Sequence, residues 1–276
     1  MEPLFLLYTL VFGIFAGSVG AMFGLGGGVF MIVFFILGLN LPAHNAVALS
    51  LLAVIASSSM AGSVYIRDRM TNLKLAMVLE TCTVTGAVLG AFLALTLPVI
   101  YIQVVLGIVL IYASTMMFRG RKSEEIVSDV KGLNVKGEYY DVCIKKAVGY
   151  CAVHLKLGLL ISLIGGVISG VVGIGGGVII VPIMNLVMKV PIKAAAATSN
   201  FMVGVTAAAS AFIFFNKGLV DLYLAVPSVV GIMIGAYAGT CFIGRVESAN
   251  LRKLMGVVLI FAAMILILKA GGLLVW

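Results

Sequence analysis

Two glycine-rich stretches hold the residues best suited to chemistry. Gly24-Leu25-Gly26-Gly27-Gly28-Val29 reads GLGGGV, and Gly173-Ile174-Gly175-Gly176-Gly177-Val178 reads GIGGGV. Both lie in strongly apolar surroundings, where a helix-breaking glycine run is costly unless its freed backbone groups meet protein, water or a ligand. Each precedes a short apolar run and then a proline, Pro42 or Pro191. As a helix such a run rises ~16 Å, half a hydrocarbon core, which puts its loop near mid-membrane. A helix N-terminus there offers unpaired N–H groups and about half a positive charge. That suits an oxyanion held without a buried lysine, with Gly26, Gly27, Gly28, Gly175, Gly176 and Gly177 admitting it close to the backbone. The competing reading is that these glycines only let helices cross tightly. A dinucleotide-binding loop is excluded, because no strand–turn–helix unit in water surrounds either copy.

Ser50, Thr198, Ser199 and Asn200 sit about one turn into the helices after the two prolines, at equivalent places. Their hydroxyl and amide donors would complete a shell around an oxyanion. Alternatively they bond back to the preceding turn or across helices. Asn200 is the most informative, because its counterpart is the apolar Leu51. Glu80 is the acidic residue clearly within a span, where carboxylates are costly and often functional. It is a candidate for proton coupling, or else a carboxylate reaching the headgroups over ~10 Å of helix. Arg67-Asp68-Arg69 reads as a headgroup anchor. Cys82 and Cys241 read first as small buried hydrophobes and second as thiols for a persulfide-like substrate. His44 and His154 are isolated, so neither a metal nor a cofactor is expected.

The elements that position these residues cross a membrane. Of 276 residues 63% are hydrophobic and 10% charged, and the mean hydropathy is +1.25. Those values exclude a soluble domain with a charged surface. The net charge of +8 therefore bears on orientation, not nucleic-acid binding. The first apolar run, without a basic leader, reads as a retained span. Four cysteines show neither metal spacing nor a dense disulfide pattern. Helices are expected over Leu4–Phe23, Val29–Leu39, Asn45–Ile66, Leu73–Leu97, Val99–Phe118, Leu155–Val172, Val178–Met188, Ala194–Phe215, Val220–Phe242 and Leu251–Ala270. A first transmembrane repeat, 1–118, and a second, 155–276, flank a polar linker, 119–154, in which Glu138–Val153 carries a loose hairpin pattern.

An offset of 149 residues superposes the halves without a gap. It pairs Gly17 with Gly166, both glycine loops, Pro42 with Pro191, Ser50 with Ser199, Gly86 with Gly235 and Gly90 with Gly239. This is an internal duplication. Five helical segments per half, with both termini outside, place sixteen of the eighteen lysines and arginines on cytoplasmic loops, 119–154 among them. A parallel four-plus-four arrangement moves Lys189, Lys193, Arg245, Arg252 and Lys253 outside. The expected fold is thus all-α and polytopic, two inverted repeats with short or broken helices at the glycine loops, as in many transporters.

GLGGGVFMIVFFILGLNLPAHNAVALSLL and its second copy, SGVVGIGGGVIIVPIMNLVMKVPIKAAAATSNF followed by NKGLVDLYLAVPSVVGIMIGAYAG, resemble the TauE/SafE sulfite-exporter family, also called the sulfonate uptake permease family. The resemblance covers nearly the whole chain. It departs at Ala-Leu-Ser-Leu (Ala48–Leu51) and Ala-Thr-Ser-Asn (Ala197–Asn200), where the usual signature is Ala-Thr-Ser-Leu. It implies a multi-pass carrier of sulfite, thiosulfate or organosulfonates in the cell membrane, partnered by the bilayer and a small sulfur anion. Proton coupling stays open. A passive anion channel is the alternative. An intramembrane enzyme lacks a nucleophile–base pair, and no nucleotide-binding loop is present.

Overall fold

The computed structural model describes residues 3–118, 135–141, 145–243 and 246–270. The first half contains α1 (Pro3–Phe23), α2 (Gly28–Leu37), α3 (Ala43–Arg67), α4 (Leu73–Ala94) and α5 (Val99–Phe118). The second contains α6 (Leu155–Val172), α7 (Gly177–Pro182), α8 (Ile192–Asn216), α9 (Leu222–Ile243) and α10 (Ser248–Ala270). Between the halves, β1 (Val135–Asp141) and β2 (Lys146–Ala152) pair antiparallel, with Lys136 opposite Cys151 and Asp141 opposite Lys146. The hairpin thus begins three residues earlier than its sequence pattern implies. Six described helices are long and apolar enough to span a bilayer: α1, α3, α4, α6, α8 and α9. The chain is an all-α polytopic membrane protein.

Local chemistry sets the element ends. Pro42 and Pro191 precede α3 and α8 with φ −54° and −53°, the angle their rings impose. Asn72 caps α4 by accepting from the Leu75 N–H. A π-helical turn, Ile183–Val187, continues α7 beyond Pro182. Proline supplies no N–H to the helical ladder, so the regular repeat breaks there. Its counterpart in α2 is Val33, and α2 stays regular for ten residues.

Backbone geometry repeats with the sequence. Positive φ occurs at Gly24 and Gly173, Gly26 and Gly175, Gly27 and Gly176, Asn40 and Lys189, and Arg69 and Gly218. Each pair is 149 residues apart. Packing repeats too, with the halves exchanged: α1 lies against α9 and α4 against α6. A Cβ on Gly17 would overlap the Ile232 carbonyl, and one on Gly166 the Thr83 carbonyl. Gly235 meets Ile14, and Gly86 meets Leu163, in the same way. Close backbone approach of this kind is how small residues join helices in lipid. At the centre α3 and α8 cross in opposite directions, Gly62 against Phe201 and Ser58 against Gly204. Phe212, Leu222, Met77 and Phe261 are left on the outer surface, where hydrocarbon is the natural solvent.

Candidate functional site

Both glycine loops are buried, and they face one another. A Cβ at Gly28 would lie 3.6 Å from the Gly173 carbonyl oxygen and from the Ile174 Cα. One at Gly177 would overlap the Gly24 carbonyl and stand 2.9 Å from the Leu25 Cα. Methyls of Val54 and Val203, another pair at the 149-residue offset, pack against both Gly26 and Gly175. Gly27 and Gly176 precede the short helices at φ 73° and 91°, which L side chains adopt only with strain. The Phe30 N–H donates to Gly27, and the Ile179 N–H to Gly176. The N–H groups of Gly28, Val29, Gly177 and Val178 therefore precede the helical ladder and have no intrahelical acceptor. The two packed loops thus supply four such donors, two from each half.

The two serines cross between the halves. Ser50 Oγ donates to the Gly173 carbonyl at 2.8 Å, sharing its proton with the Val47 carbonyl at 2.8 Å. Ser199 Oγ donates to the Gly24 carbonyl at 2.8 Å. Each hydroxyl thereby holds the first residue of the opposite half's loop. Asn200 is fully buried, and its Nδ2 donates to Ala21 at 2.7 Å and Ala196 at 3.1 Å. Its Oδ1 has no partner among the described residues. Tyr65 Oη also donates to the Ala21 carbonyl, at 3.0 Å. The counterparts of Asn200 and Tyr65 are Leu51 and Phe214, so this polar pair, one residue from each half, serves Ala21 and has no equivalent at Gly170 in the other repeat.

The TauE/SafE sulfite exporter model matches residues 9–266. The chain belongs to the TauE/SafE family. "Probable membrane transporter protein YunE" of Bacillus subtilis is 26% identical over 91% of this chain and 93% of its own length. YdhB of the same organism, also described as a probable membrane transporter protein, is 24% identical over 91% and 94%. A probable membrane transporter protein of Methanocaldococcus jannaschii, MJ0441, is 22% identical over 93% of each chain. No solved structure matches. This chain is a membrane transporter of the TauE/SafE family.

Within this TauE/SafE chain, the remaining candidates lie apart from the loops. Thr198, next to Ser199 on α8, turns about 100° away. Its Oγ1 accepts the Asn72 N–H at 3.0 Å, fastening the α3–α4 turn. Glu80 is 9% exposed. Its Oε1 accepts from Thr206 Oγ1 on α8 at 2.8 Å, and its Oε2 has no partner among the described residues. Thr206 also approaches Thr83 at 3.4 Å. Ser169, a residue the sequence patterns do not single out, is 1% exposed, and its Oγ too lacks a partner among the described residues. It lies 3.5 Å from where a Cβ on Gly176 would stand. Its counterpart is Gly20, which packs directly on Gly27. A polar residue in one repeat opposite glycine in the other was the available signal.

Proposed function

We propose that this TauE/SafE transporter is a secondary carrier of small sulfur-containing oxyanions, with alternating access around the paired glycine loops. The observation that carries the reading is the packing of two glycine loops against one another, each opening a short helix at its N-terminus and each clamped by a serine of the opposite half. Oriented N–H groups at such termini attract anions without an ionised side chain. Ser169 and Asn200 place uncommitted polar atoms near this region: the Ser169 hydroxyl can donate to an oxyanion, and the Asn200 Oδ1 can accept only from a protonated one, such as hydrogen sulfite. The family's description as sulfite exporters supports the sulfur chemistry. Antiparallel crossing of α3 and α8, equivalent elements of the two halves, supports an inverted repeat. The basic-residue count supports outward termini and a cytoplasmic hairpin. Glu80, pinned to Thr206 but holding one uncommitted oxygen, is the candidate proton-coupling group.

The test is binding and flux with purified protein. Calorimetry against sulfite, thiosulfate, methanesulfonate, sulfate and chloride should single out at least one sulfur anion. Proteoliposome uptake of that anion should saturate and be accelerated by the same anion on the far side. Equal binding of all five, or flux without saturation and exchange, would favour the passive channel.

A further inference from the structure

Among the described residues, one end of the molecule carries a buried ion pair without a counterpart at the 149-residue offset. Lys193 lies in the first turn of α8 and is 1% exposed, and its Nζ donates to Asp141 Oδ1 of β1 at 2.8 Å. Asp141 is itself nearly buried, at 3%. The counterpart of Lys193 is His44, whose Nε2 lies 3.0 Å from the Ala94 carbonyl, with no carboxylate partner among the described residues. A buried ammonium at a helix N-terminus is disfavoured twice, by desolvation and by the positive end of the helix dipole. The Asp141 carboxylate offsets both. It is a small oxyanion supplied by the chain itself.

The hairpin that carries it is fastened to both halves. Asn72 Nδ2 donates to the Lys136 carbonyl at 3.4 Å, and the Val153 N–H to the Met188 carbonyl at 3.0 Å. Tyr150 and Asn72 share a side-chain hydrogen bond, and burial pushes the Tyr150 phenol up, so it stays protonated. Gly137 packs where a Cβ would stand 2.6 Å from both Asn72 Nδ2 and Tyr150 Oη. The hairpin therefore bridges the α3–α4 turn, the end of the α7 segment and the start of α8. Ser199 and Asn200 lie further along that same α8, about 10 Å from Lys193.

We propose that Asp141 is a built-in stand-in for the transported anion. When the hairpin lifts, Lys193 and the first turn of α8 take a small oxyanion in its place, forming a loading site outside the glycine loops. Opening without an anion costs the ion pair and leaves the ammonium beside the positive end of the α8 dipole with no counter-charge, which is unfavourable. Opening with one exchanges one carboxylate-like partner for another. The proposal rests on the reading of the chain as an anion carrier, and it adds a gate that the anion itself releases.

Hydrogen exchange of the β1 and β2 amides tests it, on the full chain in phosphatidylcholine nanodiscs with sulfite, thiosulfate, methanesulfonate or chloride. At least one sulfur anion should speed exchange across residues 135–141 and 146–152 about fivefold or more, relative to chloride. Asp141→Asn should bind that anion about tenfold tighter, since no carboxylate competes. Lys193→Gln should abolish both effects. Lys193→Met/Asp141→Leu replaces the pair by apolar groups and guards against simple misfolding; its hairpin should stay protected with the anion present. Exchange indifferent to all three sulfur anions overturns the proposal, as does an unchanged affinity in Asp141→Asn. Release only when phosphatidylglycerol is added assigns Lys193 to lipid headgroups and equally overturns it. Gly176→Ala separates the two claims. If that variant loses transport while the parent hairpin ignores every anion, the glycine-loop reading stands and the loading site falls.

Discussion

Ser50 and Gly173, 123 residues apart, are joined by the same 2.8 Å hydroxyl–carbonyl bond that joins Ser199 to Gly24. The two bonds exchange when the halves exchange, so each half positions the loop of the other. Such reciprocity links the loops mechanically: neither can shift without releasing a buried carbonyl. A buried acceptor left without its donor costs about 1–3 kcal/mol.

The serines should therefore matter more together than singly. Ser50→Ala and Ser199→Ala are each expected to lower the apparent melting temperature of the detergent-purified protein, by about 1–3 kcal/mol of stability. The double variant should still insert but transport far more slowly than either single one. Full activity in the double variant would remove the crossed bonds from the mechanism.

The two loop glycines, alike in sequence, should respond differently to alanine. At Gly27 a Cβ would stand 2.8 Å from both the Ala16 carbonyl and the Ile232 Cδ1, so Gly27→Ala should impair folding. At Gly176 the nearest atom is Ser169 Oγ at 3.5 Å, which leaves backbone strain of about 1–2 kcal/mol as the main penalty. Gly176→Ala should thus purify in good yield yet lose anion affinity. Calorimetry and size-exclusion chromatography on the pair check this; equal yields and equal affinities would contradict it.

Much of the fold was legible because the features that repeat are backbone features. Glycine and proline dictate φ, and five positive-φ pairs follow the 149-residue register. Side-chain direction was less legible. Thr198 and Ser199 are neighbours in sequence, but the helical turn between them sends one to Asn72 and the other to Gly24. Lys193 read as a loop charge, whereas it is buried in the first turn of α8 against Asp141. That pair spans the segment between the halves, which shares no register with either repeat, so the duplication could not reveal it. Ser169 escaped notice because polar residues in helices usually bond back to their own turn.

Asn200→Leu restores the first repeat's residue and should change selectivity more than stability. The Ala21 carbonyl keeps the Tyr65 hydroxyl at 3.0 Å, so the substitution strands no buried acceptor there. What disappears is an amide whose Oδ1 is uncommitted. Competition binding among sulfite, thiosulfate and methanesulfonate should show altered ratios, with a melting temperature close to the parent's. Unchanged ratios would take Asn200 out of the site.

Coupling separates a carrier from a channel, and Glu80 is where it can be tested. Glutamine at this position keeps a carbonyl oxygen to accept from Thr206 and adds only a neutral amide, so the α4–α8 contact should survive. Substrate binding should survive as well, because neutral donors at the glycine loops, on other elements, are expected to hold the anion. If Glu80 carries the coupled proton, Glu80→Gln should abolish the dependence of proteoliposome uptake on an imposed pH gradient while leaving anion exchange at the parent rate. Thr206→Val supplies the control: it removes the hydroxyl at 2.8 Å but leaves the carboxyl able to exchange a proton, so gradient dependence should persist with shifted pH sensitivity. A gradient response retained in full by Glu80→Gln would reduce Glu80 to a packing residue. A parent protein that ignores the gradient altogether, yet still shows saturable exchange, would make this transporter an uncoupled exchanger and leave Glu80 without a coupling role.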